Sequence, residues 1–252
     1  MKQKVLLTGA KGFIGYHLYN AIRTTYDVIP ADNCTGLAQS DRDIDVDCEN
    51  WDLLNCELPN VDIVVHLAAK AGVKESMIDP KKYYVNNCLV TKRIFNHYTK
   101  AKILYASSSS VVECRHPYAM TKAMCELMAP KNAIGMRFFT VYGPKGRPDM
   151  LIRKLSEGKK FEEVSNHFRD FTHVYDVVDG IKILMQKDVK HGVYDIGAGT
   201  PISVKYLCSL FNQYPKEVEV PNESLITCAD PTFMKSLGWN AKISIEEGIK
   251  KL

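Results

Sequence analysis

The sequence predicts an α/β protein built on a doubly wound parallel sheet. Short apolar runs rich in Val, Ile and Leu, such as "KVLLTGA", "VDIVVHLAA" and "KILYASS", alternate with segments of helical spacing. Each run ends in small or polar residues. Strands that are apolar along their whole length are typical of a parallel sheet covered by helices on both faces.

The elements follow one another in a regular order. The first strand lies in "KVLLTGA", a helix follows in "FIGYHLYNAIRTT" with Ile14, Leu18 and Ile22 on one face, and "YDVIPAD" is the second strand. The second half is more mixed, with helices predicted in "MLIRKLSEG", "VYDVVDGIKILMQ" and "SIEEGIKKL". We therefore expect a sheet domain over residues 1–140. Residues 141–252 should form mainly a small C-terminal lobe, with some chain returning to the sheet.

Composition excludes several classes of protein. With 252 residues, 46% of them hydrophobic, the chain can bury a full core as one large domain, or as one domain with a small second lobe. The net charge of +4 is spread among acidic residues, so no nucleic-acid surface is expected. No apolar run reaches the roughly 18 residues of a membrane helix. The eight cysteines include no C-x-x-C pair and no cationic leader precedes Val5, so we expect reduced thiols, a cytoplasmic protein and no metal site.

A glycine-rich turn, "GAKGFIG", joins the first strand to the first helix. Gly9, Gly12 and Gly15 let the backbone turn tightly, admit a pyrophosphate and let the helix pack on the strand, while the helix N-terminus attracts phosphate. The spacing is G-x-x-G-x-x-G, which departs from the usual dinucleotide fingerprint. In isolation such a pattern is better interpreted as a turn without a ligand.

An acidic residue at the end of the second strand favours a nucleotide site instead. Asp32 lies 23 residues after Gly9 (32 minus 9), where a carboxylate binds the ribose hydroxyls of adenosine and repels the 2′-phosphate of NADP. Its neighbours Asn33 and Cys34 supply no cation, so the sequence predicts a Rossmann-type fold that binds NAD. Asp47 either accepts from the adenine amine or lies in a solvated loop.

Two Tyr-x-x-x-Lys pairs occur. Tyr118 and Lys122 in "YAMTK" share one face of a helix, and a lysine cation beside a phenol favours the ionised form that acts as a base. They follow a strand ending in the serines 107–110, at the sheet edge where doubly wound folds bind ligands. A polar loop is the alternative interpretation of these serines. Tyr98 and Lys102 match the same pattern, but Tyr98 is interpreted as a structural aromatic residue between a helix and a strand.

These motifs together resemble one known family, the extended short-chain dehydrogenases that act as NAD-dependent epimerases and dehydratases on nucleotide sugars. The resemblance rests on "TGAKGFIG", "ADN", "HLAAKAGV", "YASSSSV", "YAMTK", "RFFTVYGP", "RDFTHVYDVVDGI" and "LGWNAKISIEEGIKK", which span nearly the whole chain. "HLAAKAGVKES" and "RFFTVYGPKGRPDM" are similar to the UDP-glucuronate 4-epimerase branch, in a shortened form.

The resemblance implies a catalytic set of three residues. Tyr118 would take the proton from the sugar 4-hydroxyl, Lys122 would assist it and hold the nicotinamide ribose, and Ser108 would hydrogen-bond the same hydroxyl. Hydride would pass from C4 to NAD and return to the other face of the 4-keto sugar, so that no net oxidation occurs.

The resemblance also implies residues that bind the two ligands, NAD and a UDP-sugar. The cofactor set is Gly9, Gly12, Phe13, Ile14, Gly15, Asp32, Asn33, Asp47, Leu67, Ala68, Ala69, Asn87, Tyr118 and Lys122. The substrate set is Lys74, Ser109, Ser110, Thr140, Arg147 and Arg169. The resemblance makes residues 141–252 mainly the substrate-binding lobe. Family members commonly pair through the helix bearing the catalytic tyrosine and the helix before it, so a homodimer is expected.

Each arginine has an alternative interpretation. Arg169 would bind the diphosphate, or would form an ordinary ion pair with Asp170 or another acid. Arg147 would bind the carboxylate of a uronic acid with its planar fork, or would pair with Asp149 on the surface. Arg137 lies within a predicted strand and is expected to be structural, paired with an acid.

Departures from the family pattern leave rival functions open. Val112 and Glu113 replace the usual Tyr-Gly pair, and Tyr118 lies only ten positions after Ser108 (118 minus 108). A 4,6-dehydratase would carry acidic residues where Ser109 and Ser110 stand, which weakens that rival. A reductase or decarboxylase on the same scaffold is harder to separate from an epimerase by sequence. A protein that binds NAD or a sugar nucleotide without catalysis would not need the Ser-Tyr-Lys set.

Overall fold

The computed structural model describes residues 1–32, 49–50, 52–220 and 224–252. Two compact units make up the chain. The first comprises Met1–Arg137 and Ile181–Tyr194, and the second comprises Phe138–Gly180 and Asp195–Leu252.

The strands of the described residues are numbered along the chain. They are β1 (Lys4–Thr8), β2 (Asp27–Asp32), β3 (Glu49–Asn50), β4 (Ile63–His66), β5 (Lys102–Ser108), β6 (Ala133–Phe138), β7 (Thr140–Tyr142), β8 (Glu163–Ser165), β9 (Phe168–Arg169), β10 (Phe171–His173), β11 (Gly192–Ile196), β12 (Ile202–Ser203), β13 (Lys216–Val218) and β14 (Ile226–Thr227).

The helices are numbered in the same way. They are α1 (Phe13–Ile22), α2 (Val73–Ile78), α3 (Pro80–Tyr83), α4 (Val90–His97), α5 (Pro117–Met128), α6 (Leu151–Ser156), α7 (Val174–Gln186), α8 (Val204–Ser209), α9 (Thr232–Ser236) and α10 (Ile245–Ile249). A π-helical turn, Tyr84–Leu89, joins α3 to α4, and a 3₁₀ turn, Ser109–Val112, follows β5.

One sheet contains seven of these strands, in the order β11-β6-β5-β4-β1-β2-β3. Strand β1 pairs in parallel with β2 on one side and with β4 on the other. The chain therefore builds outward from β1 in one direction and then reverses at β4, which is a topological switch point, where such sheets bind ligands. The predicted doubly wound α/β fold is confirmed.

Each unit has its own hydrophobic core. The core of the first unit includes Leu6, Val64 and Ile103 from the sheet, packed with Ile94 and Phe95 of α4. All four residues of β4 are buried, as expected for a strand covered on both faces. The core of the second unit is formed by residues of several elements: Tyr142, Ile152, Leu155, Val164, Phe171, Val204, Leu207 and Cys208.

The buried carboxylate of Asp170 organises the second unit. It accepts hydrogen bonds from the backbone amides of Ala198, Gly199 and Ala229, at 2.8–3.0 Å, and from the hydroxyl of Thr172. These bonds join the residue before β10 to two separate loops. The Asp170 carboxylate is thus bound by backbone amides and by the Thr172 hydroxyl, and the role of Arg169 at a diphosphate stays a prediction.

Candidate active site

At two positions of the glycine turn after β1, no side chain larger than that of glycine fits. A Cβ atom on Gly9, whose φ is +74°, would lie 2.7 Å from the amide nitrogen of Ala68, and one on Gly15 would lie 2.0 Å from the carbonyl oxygen of Gly9. Both glycines are therefore required by the tight turn and by the close packing of α1 on β1.

Gly12 differs from these two glycines. Among the described residues, only the carbonyl group of Gly9 lies within 4 Å of the place where its Cβ would be. Gly12 is the N-cap of α1, and Phe13 and Ile14 follow it as the first residues of the helix. This is the geometry expected where a pyrophosphate approaches the backbone at a helix N-terminus.

Asp32 closes the turn at the end of β2. Its Oδ2 accepts a hydrogen bond of 3.0 Å from the amide of Lys11, which ties the carboxylate to the glycine turn. The residues present therefore fit the adenosine and pyrophosphate part of NAD. Asn33 and Asp47, also predicted at the cofactor, lie outside the described residues.

The segment after β4 runs beside the glycine turn. The amides of Leu67 and Ala68 donate to the backbone and side-chain oxygens of Thr8, at 3.1 and 3.2 Å, and Ala69 follows on the surface. These bonds hold the segment against β1. Its small residues are those that the resemblance places next to the cofactor.

The side chain of His66, in β4, joins that strand to β1 and to α4. Its ring contacts the hydroxyls of Thr8 and Thr91, at 2.7 and 2.9 Å, and it is fully enclosed. Burial, assisted by the nearby charge of Lys122, lowers the pKa of His66 from 6.5 to about 3. The ring is therefore neutral, a structural role that the sequence did not indicate.

Asn87 lies in the π-helical turn and is buried. Its side-chain oxygen accepts from the amide of Lys70, and its side-chain nitrogen donates to the Lys70 carbonyl and to the Thr121 hydroxyl. Both N–H groups are thus used in joining the segment after β4 to α5. The contact of Asn87 with the cofactor, which the resemblance implies, stays a prediction.

The predicted Tyr118 and Lys122 pair lies on α5. The buried Nζ atom of Lys122 donates a 2.9 Å hydrogen bond to the carbonyl of Ala106, two residues before Ser108 in β5. Tyr118 lies one turn earlier on the helix and is half-buried. The helix therefore presents its lysine to the end of β5 that carries the serines.

The serines at that strand end have separate partners. The hydroxyls of Ser108 and Ser110 are 2.7 Å apart, and the Ser110 amide donates to the Ser108 hydroxyl. Ser109 begins the 3₁₀ turn. Ser107 turns inward and donates to Glu126 of α5. The four serines therefore lie at the end of β5 and at the start of the 3₁₀ turn, and their role at the substrate stays a prediction.

Arg137 forms a bidentate ion pair with Glu126. Its Nε and Nη2 atoms donate to the two carboxylate oxygens at 2.9 and 2.7 Å. The expectation that Arg137 is structural and paired with an acid is confirmed. Tyr98 is likewise structural: its ring is buried and its hydroxyl donates to the carbonyl of Pro59 at 2.8 Å.

Arg147 has the partner named in its alternative interpretation. Its Nε and Nη2 atoms donate to the two carboxylate oxygens of Asp149, at 2.9 and 2.5 Å. This bond is the main cause that lowers the pKa of the Asp149 carboxyl. The planar edge that was expected to bind a sugar carboxylate thus already binds a carboxylate of the protein.

The remaining substrate candidates are placed as follows. Arg169 donates to the carbonyls of Phe168 and Ser224 and contacts the ring of His167. Thr140 begins β7, where its amide donates to the Asp170 carbonyl, and Lys74 is exposed on α2. In the described part of the chain, no three His, Cys, Asp or Glu side chains are grouped as a metal site would require.

A parallel sheet with a switch point, a glycine turn closed by Asp32 and a Tyr-Lys helix define a dinucleotide-binding enzyme scaffold. The NAD dependent epimerase/dehydratase family matches residues 5–197, and the chain belongs to that family. Its cofactor is accordingly NAD. No helix among the described residues is both long enough and apolar enough to cross a membrane.

One relative is similar to this chain over its whole length. Protein MJ1055 of Methanocaldococcus jannaschii, an uncharacterised protein, is 34% identical, with 100% of this chain and 95% of the relative covered. That match spans 311 positions against 252 residues here, so at least 59 positions of the match (311 minus 252) have no counterpart in this chain. This chain is therefore shorter than that relative over the matched length.

Two solved structures share the whole fold. The UDP-glucuronic acid 4-epimerase of Bacillus cereus, in complex with UDP-glucuronic acid and NAD, is 26% identical with a TM-score of 0.86, covering 98% of this chain and 97% of the other. The NDP-hexosamine 5,6-dehydratase TunA, involved in tunicamycin biosynthesis, is 26% identical with the same TM-score, covering 99% and 96%.

Proposed function

We propose that this protein is an NAD-dependent 4-epimerase that interconverts UDP-glucuronate and UDP-galacturonate. The observation that carries the proposal is the hydrogen bond from Lys122, one helical turn from Tyr118, to the carbonyl of Ala106, two residues before Ser108 in β5. The chemistry that NAD supplies when bound is reversible hydride transfer at a sugar carbon.

The protein's own residues then manage the proton. Tyr118 accepts it from the sugar 4-hydroxyl, and the ammonium group of Lys122 stabilises the phenolate that results. Ser108 holds the same sugar hydroxyl, with Ser110 orienting its Oγ. Because the hydride is returned to the sugar, the reaction needs no second substrate.

A dehydratase is the second candidate, because TunA is as similar in structure as the Bacillus cereus epimerase. A dehydratase needs an acid beside the catalytic hydroxyl to expel water. The partner of the Ser108 hydroxyl is Ser110, whose hydroxyl is not acidic enough for that step. This favours epimerisation.

Incubation with UDP-glucuronate separates these functions. Purified protein and NAD are mixed with UDP-glucuronate, and the products are resolved by chromatography. We expect UDP-galacturonate without net reduction of NAD. A dehydrated sugar, a pentose nucleotide or no product would each contradict the proposal.

We further assign the sugar carboxylate to Arg147, and propose that it exchanges Asp149 for the uronate. Arg147→Ala should weaken the binding of UDP-glucuronate by about 10- to 150-fold, the equivalent of roughly 1.5–3 kcal/mol for a charge-assisted bond. The binding of UDP-glucose, which has no carboxylate, should not change. Asp149→Asn is the matched control, since it weakens the internal competitor and should strengthen UDP-glucuronate binding. Equal losses for both sugars in Arg147→Ala would remove this role.

Finally, we propose a homodimer that pairs through α5. Met120, Met124 and Leu127 lie on one face of this helix and are 51%, 38% and 88% exposed. A contiguous apolar helix face is unfavourable in water and suits a second copy of the same helix. Light scattering should give a dimer, and Leu127→Glu should give a monomer. A monomeric unmodified protein would contradict the proposal.

A further inference from the structure

Two aromatic rings contact the ring of Tyr118 from different directions. The imidazole of His116 is parallel to the phenol, with 6° between the planes and 6.0 Å between the centroids. The ring of Tyr83 meets it edge to face, at 81° and 6.3 Å. Both arrangements are ones that aromatic pairs favour.

Each of these two rings is itself tied to the backbone. His116 is the N-cap of α5, and its Nδ1 atom accepts a 3.1 Å hydrogen bond from the amide of Ala119. Tyr83 is only 3% exposed, and its hydroxyl donates to the carbonyl of Ala71 at 3.0 Å. The two rings are therefore fixed supports, whereas a half-buried phenol without them could turn about its side-chain torsions.

We propose that His116 and Tyr83 are positioning residues that hold the phenol of Tyr118 in its reactive orientation. We call the pair the aromatic clamp. The proposal rests on the function of Tyr118 as the proton acceptor. A proton acceptor has to lie within hydrogen-bond reach of the sugar hydroxyl, and small errors in placement reduce the rate strongly.

The sequence suggests why this chain uses such a clamp. Tyr118 lies only ten positions after Ser108 (118 minus 108), so little chain is left before α5 to cover the phenol. His116 lies within that short segment, immediately before the helix. One residue thus caps α5 and supports the phenol at once.

Paired substitutions separate the ring from the hydrogen bond that each residue makes. His116→Asn keeps an N-cap acceptor and removes the ring, while His116→Phe keeps a ring and removes the acceptor. Tyr83→Leu removes the ring, while Tyr83→Phe keeps it and removes the hydroxyl. The two ring-removing variants should lower kcat about 2- to 12-fold each, with KM for the UDP-sugar unchanged. The two ring-keeping variants should melt earlier and retain kcat.

The same substitutions in a Tyr118→Phe background test whether the clamp acts through the phenol. There, His116→Asn and Tyr83→Leu should cause no further loss of kcat. Equal losses in both backgrounds, or losses that follow melting temperature instead of the ring, would overturn the proposal.

A second measurement does not depend on turnover. In protein with ¹³C-labelled tyrosine, the Tyr118 ring signals are those that disappear in Tyr118→Phe. The ring should flip faster in His116→Asn and in Tyr83→Leu, and an unchanged flip rate would overturn the clamp. If the unmodified protein acts on no UDP-sugar, the proposed function fails, and the flip rates still decide whether the clamp exists.

Discussion

Breaking the Glu126–Arg137 ion pair should destabilise the protein far more than breaking an exposed pair. The Arg137 and Glu126 side chains are 30% and 12% exposed, the pairing is bidentate, and Ser107 also donates to Glu126. Removing one partner of a fully buried pair costs about 3–5 kcal/mol. For this partly exposed pair we expect about 2–3 kcal/mol for Glu126→Ala, or roughly 4–12 °C in Tm for a chain of this size.

The chain offers a matched control for that substitution. Arg153 and Glu157 form an i,i+4 ion pair with side chains 32% and 49% exposed. Glu157→Ala should cost no more than about 0.5 kcal/mol. The double variant Glu126→Leu/Arg137→Met should recover most of the lost stability, since it leaves no unpaired charge. Thermal and urea unfolding measure all three. A cost for Glu126→Ala equal to that of Glu157→Ala would refute the reasoning.

Three further predictions concern the first unit. They are the effect of a buried hydroxyl on stability, the dependence of stability on pH, and the preference for NAD over NADP. The buried hydroxyl of Tyr105 has no hydrogen-bond partner among the described residues, so Tyr105→Phe should leave the free energy of unfolding unchanged or raise it. Tyr98→Phe removes a hydrogen bond and should lower that free energy by about 0.5–1.5 kcal/mol. Urea unfolding of the two variants compares these effects. The unfolded chain binds a proton at His66 more readily than the folded protein, because the folded pKa is lowered from 6.5 to about 3, so stability should fall as pH decreases across that range. His66→Gln should flatten this slope, and an unchanged slope would exclude His66 as its cause. NAD should bind more tightly than NADP, and Asp32→Ala should narrow the difference; calorimetry showing equal affinities in the unmodified protein would contradict this.

Local patterns were sufficient to predict the sheet and the tight glycine turn after β1. The apolar runs at β1, β2, β4 and β5 are contiguous in sequence, and the glycines of the first turn are needed for reasons that concern only their neighbours. Helix α7 was likewise predicted with its observed bounds, Val174–Gln186. A strand, turn or helix that depends only on residues within about one helical turn can be predicted directly from the sequence.

Contacts between distant residues could not be predicted in this way. The acid that pairs with Arg137 was expected, but its identity as Glu126 depends on how α5 packs beside β6. Asp170 was considered only as a partner of its neighbour Arg169. The amides that donate to its carboxylate lie about 28 and 59 residues away along the chain. His116 carried no sequence signal, because a histidine is an unusual N-cap.

The most direct test of the central claim compares two tyrosines that match the same sequence pattern. Turnover of UDP-glucuronate to UDP-galacturonate is measured for the unmodified protein, Tyr118→Phe and Tyr98→Phe, at a temperature where all three are folded. Loss of a positioned base costs about 10² to 10⁴ in rate, so Tyr118→Phe should be nearly inactive while still binding NAD. Tyr98→Phe should retain its activity, since its hydroxyl bonds only to a loop carbonyl in the described structure. Near-normal turnover by Tyr118→Phe would contradict the account.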